Sequence, residues 1–357
     1  MTAEELFPLR TRWRIVAAVL TLALGTTLSL LIFFRARAFD RDTVQGEFGQ
    51  RAATAATAIQ RRVQEHLEVL YGLGAVHAVA ARPLTRAAFR DLTHGPLQRY
   101  PAIQALGWVP RVLEADREAY LAAARHDGLR DFQLTEWTPR RQVVPVARHE
   151  VYYPFFYIEP LERNAAALGF NLGSDPAYME TMQKALSSGE AMASAWLVLA
   201  QDTGRQFGVL VFLPVYKDGA PHGTLEERRA NLQGFTTALL HLRALLEQSL
   251  QGIAPGNMAL KLSDISDATS RYLLSFQPHE SSVSSWSFLP RHSVDTEAIR
   301  AGLHWETTFN VAGRTWSVLL HPLREVRTPQ AWQAWGLLVG GGLFTLLCAG
   351  FVLKRGL

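Results

Sequence analysis

The sequence predicts an α+β fold framed by two membrane-spanning helices, on three observations. Residues 15–34 and 335–353 are each about 20 uncharged, mostly apolar residues, enough to cross a bilayer core of roughly 30 Å as a helix. The residues between them contain no comparable run, so they read as one folded module held between two spans. Within that module a long helical periodicity gives way, after residue 83, to short strands interleaved with helices.

Flanking charge sets the orientation. Arg10, Arg12 and Arg14 precede the first span, and Lys354 and Arg355 follow the second. The positive-inside rule then places 1–14 and 354–357 in the cytoplasm and the central module outside, the layout of a two-pass protein of a bacterial inner membrane with a periplasmic loop. Arg35, Arg37 and Arg41 argue the other way, but Asp40 and Asp42 accompany them, and long extracytoplasmic domains translocate largely regardless of charge. A cleaved signal peptide is the alternative for the first span. Its length and the lack of a small-x-small exit before Arg35 favour an uncleaved anchor. Cys348, the sole cysteine, lies in the second span, so no intrachain disulfide can form. A net charge of +4 over 357 residues, scattered along the chain, excludes a nucleic-acid surface.

Taken in order, 35–82 follows the first span as a stalk helix. Phe48, Ala52, Ala55, Ile59, Val63, Leu67 and Leu70 recur at three- and four-residue steps, beside Arg51, Arg61, Arg62, Glu65 and Glu68. This stripe fits either a dimer seam or an ordinary helix packed on its own domain. Past Arg82-Pro83, strands are expected at 103–112, 131–137, 151–158, 168–172, 195–199 and 207–216, with a helix at 115–126. A further helix runs from Pro176 to Ser188, started by Ser174-Asp175-Pro176 and stopped by Gly189. These elements make a distal lobe over 83–225. A proximal lobe over 226–330 follows, with strands at 234–239, 258–263 and 271–276, a helix at 242–250, and a hairpin of 304–309 and 315–321 around Ala312-Gly313. The short links favour antiparallel sheets.

Catalytic patterns are missing from the sequence. It has no Gly-x-Ser-x-Gly, no His-Glu-x-x-His, no phosphate loop and no cysteine cluster, so no cofactor or metal is expected. Arg148-His149-Glu150 reads as a solvated pair, and Gly72-x-Gly74 as a close-packing or kink point within a helix. His279-Glu280 resembles a kinase phosphoacceptor dipeptide, but Pro278 and the serines that follow spoil an amphipathic helix.

Four blocks carry a resemblance: 99–108 (RYPAIQALGW), 153–160 (YPFFYIEP), 168–175 (LGFNLGSD) and 208–216 (GVLVFLPVY). Together, in this order, they resemble the CHASE sensor domain. The resemblance implies an extracytoplasmic module with a long N-terminal helix and two PAS-like lobes, framed by spans and followed by a cytoplasmic histidine kinase or cyclase. Such an output module is not expected within this chain. In plant members an acidic residue recognises adenine-type cytokinins at the position of Asn171, and a ligand-facing Thr stands at the position of Phe212. An amide offers one donor and one acceptor where a carboxylate offers only acceptors, so the preferred ligand differs.

The expected pocket comprises Tyr152, Phe156, Asn171, Ser194, Leu197 and Phe212. It would suit a small, mostly uncharged, partly planar molecule, since no Arg or Lys is among its residues. The expected function is therefore a non-enzymatic receptor module that relays small-molecule binding across the membrane; a binding or scaffold protein of the envelope is the alternative. A homodimer is expected through the stalk stripe and through the small residues Thr21, Gly25, Ser29, Gly336 and Gly340 of the spans.

Overall fold

The structure is a computed structural model that describes residues 3–80, 84–199, 206–254, 257–267, 273–279, 282–289, 296–323 and 331–354. The Arg82-Pro83 break, Glu280, the link 324–330 and Arg355 lie outside the described residues. The chain falls into two units, Met1–Ala52 with Arg324–Leu357, and Ala53–Leu323.

Helix α1 (Ala3–Val79) includes both the first apolar segment and the stalk. From 15 to 79 it contains no proline and many alanines and leucines, which sustain a helix of this length. The apolar stripe is not a free seam. Ala55, Ile59, Val63, Leu67 and Leu70 are all buried within the chain itself. Farther along, the His66 ring meets Tyr100 at 5.2 Å, His77 lies between Phe89 and Trp108, and Gly74 closes on Leu213. A face already filled by its own domain is unavailable to a second copy, so the dimer-seam reading of these residues is corrected.

The first sheet comes from a run of short elements. These are α2 (Arg86–Arg99), β1 (Ile103–Pro110), β2 (Val112–Leu113), α3 (Arg117–His126), β3 (Thr135–Trp137), β4 (Val143–Pro145), β5 (Val151–Tyr152), β6 (Tyr157–Glu159) and α4 (Leu161–Asn164). There follow α5 (Pro176–Ser188), β7 (Met192–Ala193), β8 (Leu197–Leu199), β9 (Gln206–Tyr216), α6 (Leu225–Asn231) and β10 (Leu232–His241). The sheet order is β6-β1-β10-β9-β7, with β8 also on β9, and every pairing is antiparallel. Helix α5 begins as expected: the Asp175 carboxylate accepts from the Ala177 amide at 2.9 Å, and Gly189 ends it at φ 81°.

Three sequence expectations fail here. The strand at 151–158 is broken, because Tyr153 and Phe155 turn their amides to Asn171 Oδ1 and the Phe170 carbonyl instead of a neighbouring strand. Residues 168–172 form a loop with Gly169 at φ 76°, not a strand. The strand at 234–239, read as the opening of the proximal lobe, is part of β10 and lies between β1 and β9. The first sheet therefore closes only at His241; antiparallel pairing with β1 and β9 along nearly its whole length outweighs proximity in sequence.

The second sheet is built from α7 (Leu242–Ser249), β11 (Met258–Asp264), β12 (Leu273–His279), β13 (Ser282–Leu289), α8 (Thr296–Arg300), β14 (Trp305–Val311) and β15 (Arg314–Pro322). Its order is β13-β12-β11-β15-β14, all antiparallel. The β14–β15 turn is the one expected, with Ala312 at φ 46° and Gly313 at φ 79°. Arg314, beside that turn, pairs with buried Asp264 and, at 2.8 Å, with Asp267.

The other unit holds the N-terminal part of α1 and helix α9 (Ala331–Lys354). Both are long and apolar enough to cross a membrane, and their leucines and phenylalanines are largely exposed. They pack on each other through small residues: a Cβ on Gly25 would collide with Thr345 and one on Gly341 with Ser29, while the Phe33 and Trp335 rings lie 5.1 Å apart. Gly25 and Ser29 thus serve an intrachain contact. Gly336 and Gly340 have nothing within 4 Å of where a Cβ would stand.

Candidate ligand-binding site

One face of the first sheet is left open beneath α5. Ala105 and Gly107 of β1, Leu210 of β9, and Thr237 and Leu239 of β10 make the floor of a cavity of about 440 Å³. Trp137 and Val143, from the β3–β4 ribbon, form one wall; Phe155, Phe170 and Leu172 form another, and Tyr178 of α5 lies among the remaining lining residues with Leu197. Gly107 makes the space, since a Cβ there would come within 2.6 Å of Thr237 Oγ1 and 3.0 Å of the Phe155 ring.

The polar groups are few. The Thr237 hydroxyl has no hydrogen-bond partner among the described residues. The Tyr178 phenol is pushed above its usual range by burial and by Asp175 beside it, so it stays neutral. Asn164 spends its amide on the Pro160 carbonyl at 2.9 Å. No charged side chain lines the cavity. Arg141, beside the wall, stacks 4.4 Å over Trp137 and is neutralised by Asp175 at 2.9 Å. An apolar cavity of this size with one or two aimed hydroxyls suits a small, uncharged molecule.

Of the six residues expected to form the pocket, only Leu197 lines this cavity. Phe212 is fully buried behind it, its ring 6.2 Å from both Tyr178 and Phe235. Asn171 is buried, and its Oδ1 accepts from the Tyr153 amide at 2.9 Å and the Gly173 amide at 3.2 Å, which pins the loop. Ser194 joins β7 to β9: its amide donates to the Leu210 carbonyl at 2.8 Å, and its Oγ accepts from the Leu210 amide at 3.1 Å. Tyr152 lies apart, its hydroxyl donating to Glu114 and accepting from the His149 amide at 2.9 Å. Phe156 faces the opposite side of the sheet, against Tyr120 at 4.7 Å.

Thr237, Gly107, Trp137 and Tyr178 were not in the expected set. A glycine between Leu106 and Trp108 in an apolar strand was the available signal for close approach. Thr237 depended on which sheet β10 joins. His149 pairs not with its neighbour Glu150 but with Glu136, at 2.7 Å, whose carboxylate is mostly buried, and Gly74 packs closely against Leu213.

A family model described as the CHASE domain matches residues 83–274, more than half of the 357-residue chain. The chain belongs to the CHASE-domain family. It is therefore a sensor domain of a receptor, and the match lies between the two helices long and apolar enough to cross a membrane. A curated relative, the hybrid signal transduction histidine kinase A of Dictyostelium discoideum, is 21% identical over 327 residues, which is 88% of this chain and 15% of that protein. This CHASE protein thus spans a small part of its relative's length. Among solved structures it is similar to the ligand-binding domain of the Pseudomonas aeruginosa PAO1 amino acid chemoreceptor PctC, in complex with GABA. That match is 13% identical, covers 78% of this chain and 98% of the other, and has a TM-score of 0.39. It is also similar to a protein titled methyl-accepting chemotaxis protein X, at 13% identity, covering 85% and 100%, with a TM-score of 0.35.

Proposed function

We propose that this CHASE protein is the ligand-binding and transmitting part of a two-pass receptor, which relays small-molecule occupancy across the membrane to a cytoplasmic histidine kinase or cyclase. The 440 Å³ cavity on the first sheet carries this reading, because it joins a small-molecule volume to an uncharged lining with an unpaired hydroxyl. The ligand is small, partly planar and uncharged, with one group that pairs with Thr237. The two sheets are the PAS-like distal and proximal lobes, the distal one ending after His241. The central unit is periplasmic, both termini are cytoplasmic, and the receptor works as a homodimer that uses the open Gly336–Gly340 face of the second span.

Relay requires that the ligand prefer one of two arrangements. Segment 192–197 connects the cavity to the second sheet. Leu197 and Leu210 line the cavity, Ser194 is bonded to Leu210, and Ala193 and Trp196 reach Ala312 and Trp316. The second sheet ends in β15, which precedes the second span in the chain. A thermal-shift screen of uncharged heteroaromatic metabolites against the full chain tests this function. Hits whose stabilisation disappears in Thr237→Val and in the cavity-filling Ala167→Trp are the expected outcome; hits indifferent to both would remove the cavity from the mechanism.

A further inference from the structure

Successive side chains of a strand point to opposite faces, and β1 uses that alternation to wall two cavities. Ala105 and Gly107 face the first, whereas Trp108 and Pro110 line a second of about 500 Å³. The same division recurs beside it: Phe155 and Ile158 serve the first cavity, Phe156 and Tyr157 the second. The second cavity lies on the face that α1 covers, with His77 in its lining.

The chemistry of the two differs. The second has an aromatic floor of Trp108, Tyr120, Phe156 and Tyr157, and its mouth carries Arg111, Lys217 and Asp116. None of these three charges makes an ion pair among the described residues, so the mouth holds an excess of one positive charge. Several of the aromatic groups are already committed. Tyr157 donates to the Leu84 carbonyl at 2.6 Å, and Tyr120 accepts from the Trp108 indole. His77 is 8% exposed and stacks on Trp108 at 4.2 Å, and its Nε2 has no hydrogen-bond partner among the described residues. His77 lies well outside the span at 15–34, and burial lowers its pKa to about 4, so it adds no charge at neutral pH.

We propose that this second cavity binds a small aromatic carboxylate, its ring against Trp108, Tyr120 and Phe156 and its anion at Arg111 and Lys217. Aromatic walls take a planar ring edge-on or offset, and a guanidinium takes a carboxylate with paired hydrogen bonds. A cationic amine would meet two like charges for one acid. The occupant would touch α1 at His77, so this site modulates the helix that leads to the first span. It stands independently of the first cavity, whose lining has no cation.

The probe is 4-fluorophenylacetate, observed by ¹⁹F NMR line broadening with the full chain in nanodiscs, with empty nanodiscs as blank and 4-fluorophenethylamine as the cationic control. Saturable broadening of the acid alone is expected. Arg111→Gln and Lys217→Gln should each weaken it at least tenfold; the Lys217 side chain is exposed, so that variant retains the fold, which circular dichroism checks. Ala167→Trp should leave it unchanged. Absence of saturable broadening, equal broadening of the amine, or indifference to both mouth variants would overturn the proposal. So would loss in Ala167→Trp, which would assign the acid to the first cavity and contradict only this second site.

Discussion

The Ala193 amide donates to the Ala312 carbonyl at 2.7 Å, so one hydrogen bond joins the edge of the first sheet to the tip of the second. Around it, Met192 Sδ fills the space where a Cβ on Gly313 would stand, and the Trp196 and Trp316 rings meet edge-to-face at 5.6 Å. Gly313 at φ 79° has a conformation and a neighbour that both exclude a side chain. Gly313→Val should cost about 2–3 kcal/mol by combining left-handed strain with a steric clash. Chemical denaturation of the full chain measures this. Hydrogen exchange should also show faster exchange at 310–315 than in the parent, and an unchanged profile would mean the joint is not tight.

Asn171 gives a different outcome from the one a ligand contact would give. Its Oδ1 holds two half-buried backbone amides, so Asn171→Leu should destabilise folding by about 1–3 kcal/mol, whereas Asn171→Asp keeps the acceptor and should be much milder. Denaturation midpoints of the two variants check this. Equal midpoints for Leu and parent would contradict the loop-pinning role.

Acid should weaken the fold through His77. Its folded pKa, about 4, lies below the ordinary 6.5, so between those values the unfolded chain binds more protons and stability falls as pH is lowered. The stability is fully present above about pH 6.5 and lost toward pH 4, by up to about 3 kcal/mol for a shift of this size. His66 is lowered in the same direction, again mainly by burial. His77→Phe should flatten part of the melting-temperature fall between pH 7 and 4.5. A parallel curve for variant and parent would show that His77 is not the acid-sensitive group.

The dimer prediction moves from the stalk to the second span. Cysteines at Ala55 or Ile59 should not crosslink across a dimer because both positions are buried within the chain, whereas Gly340→Cys should, in a Cys348→Ser background. Crosslinks at 59 and none at 340 would reverse the assignment.

Much of this architecture was legible in the residues. Charge-free runs marked the two long apolar helices, Asp175-Pro176 and Gly189 bounded α5, and Ala312-Gly313 marked the second sheet's hairpin, because caps and turns are local chemistry. Sheet membership was not legible. Whether β10 closes one sheet or opens the next depends on pairing with β1, about 130 residues earlier, which no local pattern encodes. The placing of the six expected pocket residues, of which only Leu197 lines the first cavity, turned on the same long-range pairing. Phe155 and Phe156 are neighbours in sequence yet serve opposite faces, and Asn171, the polar residue that looked most exceptional, is explained by its own loop. The stripe on α1 had the right period but no label saying what would cover it.

The central claim is that the 440 Å³ cavity is the sensing site, and calorimetry with uncharged ligands from the screen tests it most directly. The parent chain should bind such a ligand, Thr237→Val should bind it about tenfold more weakly by losing one hydrogen bond, and Ala167→Trp should not bind it at all. Equal affinity in the parent and both folded variants would contradict the account.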